Sequence, residues 1–236
     1  MTTTSNVPER FSRQADIIPM DQLSQLKVMV VGTGAIGRQV ALQLAAMGVS
    51  HLTLVDFDIV EEGNLAAQGF LEGDLGQPKV AAVANLCRLI NSKLSLVVVN
   101  GRYTNDIDTH DIVFSCVDKM DARSFIHTNV RTDCKLFIDG RMAAEAMRVI
   151  SAYNEETHDY YRTTLFSDLE ATPIRCTAKT TIYSSNIIAG IMIGQLTKWM
   201  REVDLHCDIQ YNLLTDKYQF FTPETAHEQF AGGFRD

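Results

Sequence analysis

Short apolar runs alternate with longer amphipathic stretches across residues 27–140, the order of strands and helices in an α/β fold. Runs at 28–31, 52–55, 94–99, 111–116 and 135–140 predict strands, and 147–154 predicts a further strand that starts an antiparallel portion. Between them, 38–47, 78–91 and 120–131 carry the spacing of helices, and 57–68 reads as a loop with a short helix. Residues 155–175 are polar, spotted with aromatics and without clear period, which predicts a long loop. The segment 184–200 is apolar nearly all round and predicts a buried helix, across the sheet or at a dimer seam. Residues 208–214 and 217–221, joined by Thr215 and Asp216, predict a terminal hairpin. The expected fold is Rossmann-like: a mostly parallel sheet, helices on both faces and a C-terminal antiparallel extension.

The first strand runs into Gly32, Gly34, Ala35 and Gly37, the strand–tight turn–helix order that brings backbone N–H groups and a helix dipole to a phosphate. Asp56 ends the second strand, placed to accept hydrogen bonds from a ribose hydroxyl. This pair fits NAD as well as ATP. Lys79 starts a helix whose first position is Pro78. A lysine gains nothing from the dipole at that end, so a ligand phosphate is the anion that would suit it. Asp118 follows the strand at 111–116, where a carboxylate either holds Mg²⁺ together with substrate phosphates or caps the next helix.

Composition narrows the class. With 46% hydrophobic and 21% charged residues, the 236-residue chain can bury a substantial core as one domain. Its parts are an arm at 1–26, a nucleotide-binding core at 27–140, a loop at 155–178 and a helix and hairpin at 179–236. The net charge of -8 and the lack of a long Lys/Arg block argue against nucleic acid as a main partner. The polar start lacks the features of a signal peptide, and 184–200 is short and interrupted by Asn186, Gln195 and Lys198, so no membrane association is expected. Cysteines at 87, 116, 134, 176 and 207 form no CxxC pair, which points to a reducing, cytoplasmic setting without a structural zinc site. The scattered histidines show no ligand spacing.

The ordered motifs RFSRQ at 10–14, DFDIVEEGNLAAQGF after the second strand, GQPK at 76–79 and SCVDKMDAR at 115–123 resemble the ThiF-type adenylyltransferase superfamily, which includes the ubiquitin-activating enzymes. The resemblance covers roughly the first 140 residues. It implies an enzyme that uses ATP and Mg²⁺ to activate a carboxylate as an acyl adenylate. The usual partner is a small ubiquitin-like or sulfur-carrier protein ending in Gly-Gly, and the enzyme is a homodimer. By the same resemblance Arg13 reaches the phosphates of the partner's site, Lys79 contacts the ATP phosphates, Asp118 binds the metal, and Asn64 contacts ribose or phosphate. The loop at 155–178 is then a crossover loop over the substrate's tail. Cys176, before Thr177, resembles the thioester-forming cysteine of ubiquitin-type activating enzymes; an inert core cysteine is the other reading. The chain departs from the family at NLAAQ, where Ala67 stands in place of an arginine. Arg38, just past the glycine turn, could compensate, although an arginine at that position of a helix is expected on the surface. Two other readings stay open: an NAD-binding dehydrogenase, and a non-catalytic nucleotide-binding subunit of an activating-enzyme complex.

Overall fold

A computed structural model of the chain describes residues 8–108, 110–130, 132–166, 180–222 and 225. Its frame is one sheet built from β1 Lys27–Val31, β2 His51–Asp56, β3 Ser95–Asn100, β4 Ile112–Ser115, β5 Leu136–Ala143, β6 Ala146–Ala152, β7 Asp208–Asn212 and β8 Lys217–Phe221. The spatial order is β3-β2-β1-β4-β5-β6-β7-β8. Strands β1 to β5 pair in parallel, while β6, β7 and β8 continue the sheet antiparallel. The expected mixed α/β sheet is therefore the observed one.

Seven helices cover it among the described residues: α1 Met20–Gln25, α2 Ala35–Met47, α3 Glu62–Gln68, α4 Lys79–Ile90, α5 Met120–Val130, α6 Glu155–Thr163 and α7 Ile182–Met200. Side chains alternate across a strand, so β1 feeds two cores. Val28 and Val30 join Val40, Leu44, Val83, Ile188 and Leu196 beneath α2, α4 and α7. Met29 and Val31 join Ile126, Tyr160 and Tyr161 beneath α5 and α6. The long apolar helix α7 lies across the sheet, against α2, β5 and β6. No helix among the described residues is long and apolar enough to cross a membrane.

One segment departs from expectation. Residues 155–163, inside the stretch expected as a loop, form α6, because Asn154 and Thr157 make a reciprocal capping box at its start. The helix is then fastened by buried tyrosines rather than by an aliphatic stripe: Tyr160 donates to Asp208, which also holds Arg148. Hydrophobic periodicity is a weak signal when the buried face is made of Tyr, Thr and His. Residues 167–179, with Cys176, lie outside the described part.

Candidate active site

Strand order reverses between β2-β1 and β1-β4, and the carboxyl ends of these strands open into the crevice where α/β sheets bind ligands. Gly32 leaves β1 with φ +87, a left-handed conformation that favours glycine. Gly37 is required by close approach: a Cβ there would stand 1.7 Å from the Gly32 carbonyl oxygen. Gly34 caps α2 without any side-chain hydrogen bond, and the first intrahelical bond runs from Arg38 N–H to the Gly34 carbonyl at 3.0 Å. The N–H groups of Ala35, Ile36 and Gly37 are thus left unused by the helix and available to an anion.

Asp56 is 7% exposed and braces this turn. One of its oxygens accepts from the Thr33 N–H and, at 2.9 Å, from the Thr33 hydroxyl; the other accepts from the Asp58 N–H at 2.8 Å. It also lines a cavity of about 420 Å³ that opens beside Gly32 at the ends of β1, β2 and β4. That volume is in the ordinary range for small-molecule sites, ~300–1,000 Å³. Arg102 stacks on Phe57 with 4.0 Å from guanidinium carbon to ring centre, and Tyr103 meets Phe125 edge-on at 6.1 Å. Apolar walls with a carboxylate at the turn suit a nucleoside.

Lys79 is 7% exposed, and its amine pairs with Asp58 at 3.0 Å, beside the glycine turn. Asp58 is half-exposed and was not singled out by sequence, although its place two residues after Asp56 in DFD was the available signal. Asn64 sits in the first turn of α3, where its side-chain oxygen accepts from Glu61 N–H at 2.9 Å, leaving its amide N–H₂ as the group open to a ligand. Asp118 is exposed at the carboxyl end of β4. Its position is set by Arg123, which donates to the carbonyl of Val117 and ion-pairs with fully buried Asp139. Arg141 grips the same carboxylate at 2.6 Å. Burial alone would raise the Asp139 pKa, but the two guanidiniums outweigh it and hold the carboxyl below its ordinary range.

A Mg²⁺ ion keeps water and substrate phosphates as ligands and needs only one or two protein carboxylates. The single exposed carboxylate of Asp118 fits an ion that arrives with a triphosphate. No group of three His, Cys, Asp or Glu side chains among the described residues is arranged to hold a metal by itself.

The structure brings together Gly32, Gly34, Ala35, Gly37, Asp56, Asn64, Lys79 and Asp118 at one end of the sheet. It does not bring Arg13 there. The 3-10 turn Glu9–Gln14 is fastened to the far ends of α2 and α4, through Gln14 to the Met47 carbonyl at 2.8 Å and Arg10 to the Ile90 carbonyl. A helix of this length separates Arg13 from its own chain's crevice by roughly 20 Å. Arg38 corrects the expectation of a surface residue, for it is only 8% exposed. Its neighbour Phe70, whose ring centre lies 5.6 Å from the guanidinium, comes from the chain after α3, and sequence spacing along α2 carries no sign of that cover. Among the described cysteines, burial pushes Cys87 and Cys134 up to about 12 and Cys116 higher still, so these thiols stay protonated at neutral pH.

The chain matches the sequence model of the ThiF family over residues 6–231. It is 30% identical over 163 residues to the molybdopterin-synthase adenylyltransferase of Salmonella typhimurium, a match covering 64% of this chain and 66% of that protein. It is 37% identical over 133 residues to adenylyltransferase and sulfurtransferase MOCS3-1 of Zea mays, covering 53% of this chain and 27% of that one. The matched stretch spans less than two thirds of these relatives' lengths. Among solved structures, that of PaaA superposes with a TM-score of 0.76 at 20% identity, over 94% of this chain and 77% of that one, a likeness of fold.

Proposed function

The chain belongs to the ThiF family, and from that premise we propose that it is an ATP-dependent adenylyltransferase acting on a carboxylate. The substrate group is the C-terminal glycine of a small ubiquitin-like or sulfur-carrier protein. The observation that carries this reading is the clustering, at one end of the sheet, of unused helix N–H groups, a buried lysine and an exposed carboxylate. A relative whose name makes a protein, molybdopterin synthase, its adenylylation target supports a macromolecular carboxylate.

The substrate carboxylate attacks the α-phosphorus of ATP in line; an oxygen–phosphorus bond forms, the bond to the β-phosphate bridge breaks, and pyrophosphate leaves. The protein supplies no covalent group for that step. Asp56 and Asn64 hold the nucleoside end, the α2 N-terminus receives the phosphates, and Lys79 leaves Asp58 to neutralise the charge that builds on them. Asp118 would hold the Mg²⁺ that accompanies the nucleotide, an ion that screens the triphosphate and orients it. Arg13 reaches the neighbouring site of a homodimer. Cys176 then takes the acyl group as a thioester: its thiolate attacks the carbonyl carbon, and AMP departs with the bonding pair.

Pyrophosphate exchange into ATP, measured with carrier proteins ending in Gly-Gly, tests the reading. Exchange that depends on carrier and Mg²⁺ is expected. Calorimetric preference for NAD over Mg·ATP would replace it with a dehydrogenase, and ATP binding without exchange would leave a non-catalytic subunit, the reading that Ala67 favours.

A further inference from the structure

Among the described residues, Arg38 is a buried guanidinium that meets the ring of Phe70 but no hydrogen-bonding or charged partner. At 8% exposure it makes no hydrogen bond or ion pair with any described residue, and its Nε is fully buried and unsatisfied. Arg123, the other buried arginine among the described residues, also has an unsatisfied Nε, but its Nη groups hold Asp139, the Val117 carbonyl and the Gly140 carbonyl, whereas those of Arg38 hold nothing described. An unpaired buried charge costs several kcal/mol in general, so a fold that keeps one has a use for it.

Its location indicates the use. Arg38 is the fourth residue of α2, and helical side chains lean toward the N-terminus, here toward Gly34 and the unused N–H groups. Its Nη1 lies 3.0 Å from where a Cβ on Gly69 would stand, just past the end of α3. Next to it, Gln68 sets its side-chain oxygen 3.5 Å from the Cβ position of Gly34, and that oxygen too is buried without a partner. The Gln68 oxygen flanks the Gly34 turn, and the Arg38 guanidinium lies at the end of the same helix α3, against Gly69 and Phe70. The apolar cavity is lined from the other side, by Gly32, Asp56, Phe57 and Val117, and Arg38 does not line it. A chain of phosphates running from a nucleoside in that cavity across Gly34 would end at Arg38. Asp74 acts on Arg38 only at long range and does not pair with it.

Resting on the adenylyltransferase reading, we propose that Arg38 neutralises the terminal phosphates of bound ATP, supplying from α2 a positive charge that the chain lacks at Ala67. It faces the pyrophosphate that leaves, and not the nucleoside. A guanidinium matches phosphate oxygens in paired hydrogen bonds, which lysine does as a single point charge.

Calorimetric titration of the full chain with Mg·ATP and with AMP, beside thermal melts without ligand, tests this in wild type, Arg38→Met and Arg38→Lys. A charge-assisted contact of this kind is worth about tenfold to a hundredfold in binding. Arg38→Met should therefore weaken ATP by at least about tenfold and AMP by less than about twofold, with Arg38→Lys between the two. Its ligand-free melting temperature should equal or exceed that of wild type, because an apolar chain of similar length replaces an unpaired charge over Phe70. Unchanged ATP affinity in Arg38→Met overturns the proposal. So does an equal loss for ATP and AMP with a lowered melting temperature, the mark of a structural strut. A wild type that binds no ATP would instead overturn the adenylyltransferase reading and this proposal with it.

Discussion

Lys79 and Asp58 pair at 3.0 Å, so the amine that the proposal assigns to the phosphates is held beside the glycine turn rather than swinging in solvent. A phosphate must compete with that carboxylate, and Asp58→Asn is expected to tighten ATP binding modestly in calorimetry while Lys79→Met weakens it. Asp118 has a different task. Its removal takes away the only protein anchor the proposal gives to the metal, a loss of several kcal/mol of charge stabilisation in such chemistry. Asp118→Ala should lower pyrophosphate exchange at least about a hundredfold, and exchange at the wild-type rate would reduce Asp118 to a helix cap. Cys176→Ala should keep exchange, since the first half-reaction does not use the thiol, but lose any reductant-sensitive conjugate with the carrier on non-reducing gels. A conjugate that survives in that variant moves the nucleophile elsewhere. The placement of the glycine turn, Asp56, Lys79 and Asp118 at one end of the sheet was legible in the sequence because each sits at a strand end or a helix start that the apolar runs mark. The burial of Arg38 and the pairing of Asp58 with Lys79 were not, because they depend on which neighbour covers or meets each side chain.

The elements divide in the same way. Strands β1, β2 and β4 and helices α2, α4 and α7 were readable from apolar runs, since each is buried over most of its length against the sheet. Helix α6 was read as loop, since a cap by Asn154 and packing through Tyr160 and Tyr161 replace aliphatic periodicity. The α2 N-terminus gives a sharp test of how tightly an element is fitted. Gly37→Ala would drive a methyl group against the Gly32 carbonyl, so α2 must shift away from β1 and nucleotide binding should be lost. Gly63→Ala, in α3, meets nothing within 4 Å and should raise the melting temperature by an amount matching about 0.5–1 kcal/mol, the helix penalty of glycine. If both variants bind ATP like wild type, the close contact of Gly37 has no part in forming the site.

At the scale of the molecule, the sheet places the glycine turn, Asp56, Asn64, Lys79 and Asp118 at a single end, while Arg13 is docked at the other. On the proposed mechanism Arg13 serves a neighbour's site, and a homodimer is then a condition of activity. Mixing inactive Arg13→Ala with inactive Asp118→Ala should restore exchange, since one site of the mixed dimer has both groups intact. No restoration, or full activity in a protein that light scattering finds monomeric, contradicts this. The same fold also sets an acid limit on stability. Because Arg123 and Arg141 hold the Asp139 carboxyl below its ordinary range, the stabilisation is full above the unfolded value of about 3.9 and disappears as pH falls through the lower folded value. Urea midpoints should hold steady down to about pH 5 and drop below about pH 4, and Asp139→Asn should be destabilised at neutral pH by about 3–5 kcal/mol, as breaking a buried ion pair is. The claim on which the rest depends is the adenylation itself. It is tested most directly by pyrophosphate exchange with wild-type enzyme, Mg·ATP and a carrier ending in Gly-Gly, beside the same carrier lacking its last glycine. The account predicts exchange with the intact carrier and none with the truncated one; exchange with neither, from protein that binds Mg·ATP, would contradict it.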